Sequence, residues 1–134
     1  MQGIFMGKTS TPSEPLDLAP WEAQLRKGAL GLAVLASLWD ERRYGLDILR
    51  RLGGEAGLTT AEGTIYPLLS RLQREGLVSS QWVASDAGHP RKYYALTDQG
   101  RERTRDMAGA WRTFSGGVDA LISPIVITDG AHAA

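Results

Sequence analysis

The stretch TTAEGTIYPLLSRLQREGL, residues 59–77, has the periodicity of an amphipathic helix. Its apolar side chains recur every three or four residues, which places them on one face of a helix. These side chains are Ile65, Leu68, Leu69 and Leu72. Thr59 and Glu62 have the spacing of a capping box, so we expect the helix to begin near Thr59 or Thr60. Gly76 is expected to end it.

Two strands and a turn-rich loop are predicted after this helix. Residues 77–83 (LVSSQWV) form the first strand, and residues 91–96 (RKYYAL), rich in aromatic β-formers, form the second. The loop between them, residues 84–90, contains Asp, Gly and Pro and is longer than a tight hairpin needs. The pattern therefore predicts a hairpin with a projecting loop.

Two helices are predicted before the quoted stretch and one after the hairpin. Residues 21–41 form the first, and it is apolar on most sides, which indicates contact with a second subunit as well as with its own core. Residues 44–52 form the second. Thr97 is expected to cap the last helix, residues 98–122, whose apolar positions follow steps of four and three residues, a heptad seam. The seam consists of Met107, Trp111, Phe114, Val118 and Leu121.

This order of elements predicts a mostly α fold with a small β-hairpin. The second and third helices make a helix-turn-helix, the hairpin is its wing, and the last helix is a C-terminal dimerisation helix. The predicted divisions are a flexible N-terminal arm at 1–19, the winged helix-turn-helix domain at 20–97, the dimerisation helix at 98–122 and a tail at 123–134.

The charges are unevenly distributed, although the 134 residues carry no net charge. Residues 25–112 hold fourteen Lys and Arg against ten Asp and Glu, a net charge of +4, and each end of the chain carries −2. The basic excess therefore lies in the predicted winged helix, where it favours a nucleic-acid-binding surface.

The composition excludes several classes of function. Without cysteine, the chain has no disulfide, thiolate metal site or cysteine nucleophile. It has only two histidines, no recognisable catalytic set and no apolar run long enough to span a bilayer. We therefore expect neither an enzyme nor a metal or cofactor site, and the absence of cysteine is compatible with a cytoplasmic protein.

The polar side of the third helix is the first candidate binding site. It carries small residues that let the backbone approach DNA bases, hydroxyls that can bond to base edges, and arginines that can hold phosphates. Its members are Gly63, Pro67, Ser70 and Arg74, flanked by Thr64, Tyr66 and Arg71. The wing adds a shaped tip, Gly88 and His89, and two positive charges at its base, Arg91 and Lys92.

Several segments together resemble the PadR family of bacterial transcriptional regulators, in its short-tailed subgroup. They are YGLDI at 44–48, GTIYPLL at 63–69, the Arg71-Leu72 pair with EGLV at 75–78, and PRKYYALT at 90–97 with Gly100. The resemblance covers about residues 25–122.

The resemblance implies a dimer that pairs through its first and last helices, represses a neighbouring operon and releases DNA when a small molecule binds. It also implies that six residues lie near DNA, namely Tyr44, Thr64, Tyr66, Arg71, Arg91 and Lys92. His89 departs from the family pattern, in which arginine or proline is common after the wing glycine.

Trp111 is the candidate effector-binding residue. In this respect the chain is similar to a lactococcal multidrug-sensing member, whose fourth-helix tryptophan and its symmetry mate sandwich flat aromatic drugs between subunits. Two facing indoles would form a slot for planar hydrophobic molecules. Simple packing in the dimer core explains a tryptophan at this position equally well.

The sequence therefore predicts a homodimeric repressor that binds double-stranded DNA at an inverted repeat and responds to a planar aromatic effector. Such a protein would be bacterial and cytoplasmic, and associated with the nucleoid when bound to DNA. The alternative is a winged-helix protein–protein interaction module without DNA binding, which would not need Arg71, Arg74, Arg91 and Lys92 on one face.

Overall fold

The computed structural model describes residues 16–55, 57–86 and 88–125. The rest of the predicted arm, residues 1–15, and of the predicted tail, residues 126–134, lies outside the described residues. Along the chain the elements are α1 (Ala19–Ser37), β1 (Arg43–Tyr44), α2 (Gly45–Gly53), α3 (Glu62–Arg74), β2 (Val78–Val83), β3 (Arg91–Leu96) and α4 (Asp98–Ile122). This is the predicted winged helix followed by a long helix.

The hydrophobic core lies between the first three helices and the base of the hairpin. Three of the four apolar residues predicted for the inner face of α3 are fully buried, and Leu68 is half-buried. The core side chains are Leu30, Val34, Leu35, Leu38, Ile48, Leu52, Ile65, Leu69, Leu72, Leu77, Val78 and Tyr94. Because the inner face of α3 is fixed in this core, its polar face points away from it.

The two ends of α3 differ in how well the sequence predicts them. The prediction of a capping box was wrong: the N-cap is Ala61, which has no side chain able to cap, so the helix starts two to three residues later than expected. At the other end Gly76 adopts a φ of 79°, its N–H donates to the Gln73 carbonyl at 3.0 Å, and the Leu77 N–H donates to the Leu72 carbonyl at 3.0 Å. This is the glycine-dependent Schellman ending.

A third strand joins the predicted hairpin. β1 pairs antiparallel with β3, which gives the strand order β1-β3-β2. The prediction of a first helix reaching residue 41 was wrong, because α1 ends at Ser37 and the chain then turns into β1. Arg43 stabilises this turn: its Nε donates to the Ser37 carbonyl at 2.7 Å, and its guanidinium forms ion pairs with Asp40 and Asp47.

The start of α4 is attached to the end of α3. Thr97 caps α4 as predicted, since the Gly100 N–H donates to its Oγ1 at 2.9 Å, and that Oγ1 donates to the Gly76 carbonyl at 2.7 Å. A Cβ at Gly100 would collide with the carbonyl oxygen of Leu77 and lie 2.9 Å from its carbonyl carbon. The long helix therefore starts from a fixed position on the winged helix.

Candidate nucleic-acid interface

The outer face of α3 is open to solvent along its whole length. Every predicted contact residue on it is exposed except Tyr66, which is half-buried. The exposed members are Gly63, Thr64, Pro67, Ser70, Arg71 and Arg74. The helix continues without interruption through Pro67. The structure thus places these residues together on one accessible surface.

The positive charges of this face lie at the C-terminal end of α3. Arg71 forms a solvent-exposed ion pair with Glu75, with its Nε 3.6 Å from the carboxylate oxygen. An exposed pair of this kind contributes little stability, so the guanidinium can exchange Glu75 for another anion at low cost. Arg74, the last residue of the helix, is exposed as well.

Tyr66 connects α3 to the N-terminus of α2. Its ring lies directly against Gly45, where an added Cβ would collide with ring atoms and the hydroxyl oxygen. Burial, with a further contribution from Glu62, raises the pKa of the Tyr66 hydroxyl above its usual value. Tyr66 therefore stays a neutral hydrogen-bonding group at physiological pH, next to the exposed face of α3.

The wing projects beside α3 and carries the other predicted basic residues. Its loop connects Val83 to Arg91, Gly88 takes a φ of 96°, and both Gly88 and His89 are exposed. Arg91 is exposed and Lys92 half-buried. Lys92 lies across the strand pair from Trp82, with its Nζ 5.9 Å from the indole centroid.

Tyr44 stands where β1, α2 and the wing meet. The Arg91 guanidinium carbon lies 4.5 Å from the centroid of its ring, and the Arg50 carbon lies 5.6 Å from it. Arg50 Nη1 also donates to the Tyr44 hydroxyl at 3.2 Å. Tyr93 meets the same ring edge-on at 5.4 Å between centroids. Tyr44, one of the six residues that the family resemblance places near DNA, thus lies among basic side chains.

The structure adds residues to this surface that the sequence did not single out. Trp82 is 65% exposed, although tryptophan is mostly buried in folded proteins. It shares a cleft between wing and helices with Arg50 and with four predicted residues, Tyr44, Tyr66, Arg91 and Lys92. Trp82 follows the buried Val78 by four residues, so strand alternation places both side chains on the same face of β2. No local signal in the sequence therefore indicates that Trp82 is exposed.

The heptad seam of α4 leaves the core after its first member. Met107 is half-buried against the hydrophobic core. Beyond it the side chains are exposed, by 45% for Trp111, 65% for Phe114 and 79% for Leu121, and Val118 is exposed too. The Trp111 and Phe114 ring centroids lie 6.4 Å apart. The structure therefore shows an apolar stripe that no described part of the chain covers.

A groove of about 450 Å³ runs between this stripe and the outer side of α1. Its lining is almost wholly apolar and comes from both helices: Gln24, Leu25, Gly28, Ala29, Leu32, Met107, Ala110, Trp111 and Phe114. Thus α1 buries one side in the core and leaves the other side for this groove, as expected for a helix that is apolar on most of its circumference.

Neither a metal cluster nor a membrane-spanning helix occurs in the parts of the chain that the structure describes. No group of three or more His, Asp or Glu side chains there is arranged to hold a metal ion. None of the helices within residues 16–55, 57–86 and 88–125 is long and apolar enough to cross a membrane.

Comparison with known proteins agrees with the geometry. A family model described as the transcriptional regulator PadR-like family matches residues 34–106, from the buried part of α1 into α4. A curated relative from Lysinibacillus sphaericus, described only as an uncharacterized protein, is 23% identical over 87 residues, which cover 63% of this chain and 80% of that one.

Solved structures of the same kind match most of the chain. A PadR-like transcription factor from Bacteroides fragilis is 37% identical with a TM-score of 0.62, covering 76% of this chain and 98% of that chain. A PadR family regulator from Eggerthella lenta is 32% identical with a TM-score of 0.69, covering 78% and 91%. A PadR-like regulator from Bacillus cereus is 35% identical with a TM-score of 0.68, covering 74% and 96%. The chain belongs to the PadR-like family of transcriptional regulators.

Proposed function

We propose that this protein is a homodimeric, sequence-specific repressor that binds an inverted-repeat operator and is released by a planar aromatic effector. One observation carries the DNA-binding part: the polar face of α3 is exposed, and Tyr66 of this helix shares a cleft with Arg91 and Lys92 at the base of the wing. An α-helix fits the major groove, and a basic hairpin beside it reaches the adjacent backbone.

The side chains of this surface divide into two roles. Thr64 and Ser70 offer hydroxyls to base edges, and the small Gly63 allows the helix to approach them. The cationic residues bind phosphates, which fixes the helix in the groove and makes the affinity fall as salt rises. These residues are Arg71, Arg74, Arg91 and Lys92. The remaining members complete the surface: Tyr44 and Tyr66 line the cleft between the wing and the helices, Pro67 lies on the exposed face of α3, and Gly88 and His89 form the wing tip.

The dimer is supported by the uncovered apolar stripe on α4. Trp111, Phe114, Val118 and Leu121 expose a continuous line of large side chains. Burial of apolar area contributes about 25 cal/mol per Å², so a second copy that covers this line gains substantial free energy. A two-fold interface presents two α3 helices related by a dyad, which requires an operator with the same symmetry.

The effector site is supported by the groove beside Trp111. It is apolar, it is large enough for an aromatic ring system, and its walls come from the two helices that we propose as the dimer interface. A ligand held there by two facing indoles changes the distance between the two α3 helices of the dimer. It weakens DNA binding only if it prefers the dimer geometry that does not fit the operator.

Trp111→Ala is expected to abolish the ligand response. Wild-type dimer should bind duplex DNA about tenfold more weakly when saturated with a planar aromatic ligand, a coupling of ordinary size. The alanine variant should show equal affinity with and without ligand, because the indole that contacts the ring is missing. Binding is measured by fluorescence anisotropy of labelled duplex.

The matched control for this experiment is Trp111→Phe, which keeps an aromatic face, and sedimentation of each variant checks that the dimer persists. An unchanged ligand response in the alanine variant would remove Trp111 from the effector site. A wild-type chain that binds no duplex at all would refute the proposed function itself.

A further inference from the structure

Arg50 on α2 is a basic side chain that the recognition-helix and wing surfaces do not include. It lies on the same cleft as Arg91 and Lys92, and its side chain is 64% exposed. Its guanidinium is nevertheless held in place, because Nη1 donates to the Tyr44 hydroxyl at 3.2 Å. An exposed but oriented guanidinium loses little further entropy when it binds an anion.

The carboxylate closest to Arg50 is already engaged elsewhere. Asp47 Oδ1 lies 3.9 Å from Arg50 Nη1, at the outer limit of an ion pair. Its other oxygen, Oδ2, accepts a hydrogen bond at 3.3 Å from Nη1 of the mostly buried Arg43. Asp47 therefore belongs mainly to the Arg43 cluster that stabilises the turn before β1, and its ion pair with the exposed Arg50 guanidinium is the longer of the two.

The other basic groups of the cleft have aromatic rings rather than carboxylates as their close neighbours. Within the described residues, neither Arg91 nor Lys92 has a carboxylate within 4.0 Å of its charged nitrogens, although Asp86 and Arg91 line another cleft together. Arg91 lies over the ring of Tyr44, and Lys92 lies over that of Trp82. Cationic groups that stack on aromatic rings keep their N–H edges free for phosphate oxygens.

We propose that Arg50 binds a phosphate of the DNA backbone and that Tyr44 is the residue that positions it. This rests on the proposed function, and it extends the DNA footprint from α3 and the wing onto α2. The ligand is a duplex phosphodiester because the cleft is open and continuous with the exposed face of α3 through Tyr66. Arg50, Arg91 and Lys92 line this cleft together with Tyr66 of α3, so a DNA backbone bound to the wing would lie within reach of Arg50.

Arg50→Gln tests the contact on labelled duplex of mixed sequence, with affinity measured over a series of salt concentrations. Loss of one phosphate contact should reduce the magnitude of the slope of log K against log salt by about 0.9. Affinity at moderate salt should fall about tenfold, as expected for one charge-assisted hydrogen bond. Because Arg50 is exposed, the variant should fold as the wild type does, and thermal denaturation checks this directly.

Arg51→Gln is the matched control. Arg51 is the next residue of the same helix and loses the same charge, but it pairs with Glu55 at 3.1 Å and borders a cleft against α1. For the Arg51→Gln variant, the slope of log K against log salt should equal that of the wild type. If the wild type binds duplex and the two variants have the same slope, Arg50 makes no phosphate contact and this proposal is wrong. If the wild type does not bind duplex, the proposed function fails instead.

Tyr44→Phe separates positioning from direct contact. Removing the hydroxyl should weaken duplex binding about threefold, because the exposed Arg50 keeps its charge and loses only the hydrogen bond that orients it. In the Arg50→Gln background the same change should have no further effect, because Tyr44 then has no guanidinium to hold. Independent losses in the double variant would show that Tyr44 contacts DNA by itself and would overturn its positioning role.

Discussion

Gly100→Ala is expected to lower the free energy of unfolding by about 3 kcal/mol, as overpacking against backbone does. The added Cβ would collide with the carbonyl of Leu77, which cannot rotate away as a side chain can. That carbonyl also accepts the Thr97 N–H at 3.1 Å, so moving it disturbs the cap of α4. Chemical denaturation followed by circular dichroism measures the loss.

Gly109→Ala is the control for this substitution. Gly109 lies in the same helix, and a Cβ added there would meet no atom within 4 Å. Alanine at this position should raise stability by about 0.5–1 kcal/mol, because glycine is the weaker helix former. Equal stability changes for the two variants would mean that α4 does not start in contact with Leu77.

Replacing both Arg91 and Lys92 with glutamine is expected to weaken duplex binding about a hundredfold, since each charged contact contributes about tenfold. The slope of log K against log salt should lose about 1.8 in magnitude if each side chain neutralises one phosphate. Both residues lie on β3 at the base of the wing, in the cleft with Tyr66 of α3. Fluorescence anisotropy at several salt concentrations measures both quantities.

A charge-matched double variant, Lys27→Gln with Arg51→Gln, serves as the control. Both residues are exposed, and neither borders the cleft between wing and helices. Its slope of log K for duplex binding against log salt should be nearly that of the wild type. If it loses as much affinity as the wing variant, binding depends on total charge alone and the wing has no special place in it.

The helices could be predicted because their signals are local. The inner face of α3 follows from residues three and four apart, and its end follows from Gly76, whose positive φ a residue with a Cβ rarely adopts. Thr97 was predictable as a cap for the same reason: its partner, the Gly100 N–H, is three residues away.

β1 could not be predicted, because nothing local makes it. It has two residues, too few for an alternating pattern, and its partners Tyr93 and Tyr94 lie about fifty positions later in the chain. The same turn ends α1 early. Ser37 is buried and its carbonyl accepts from Arg43 rather than continuing the helix, a tertiary contact that overrides the helical pattern.

Only the part of the candidate site that depends on local patterns could be predicted from the sequence. The face of α3 and the basic residues of the wing follow from helical spacing and from strand order. Arg50 does not, because its importance depends on Tyr44, which the turn through β1 brings next to it. Trp82 lies where the hairpin extends past the core, so its strand phase predicts burial that the fold does not supply.

DNA binding by a dimer is best tested with the wild-type chain and duplex DNA, with stoichiometry from sedimentation and affinity over a salt series. We predict two chains of 14.5 kDa on each duplex and an affinity that falls steeply and linearly in log K against log salt. A folded chain that remains unbound to duplex at low salt, whatever its oligomeric state, would contradict this claim.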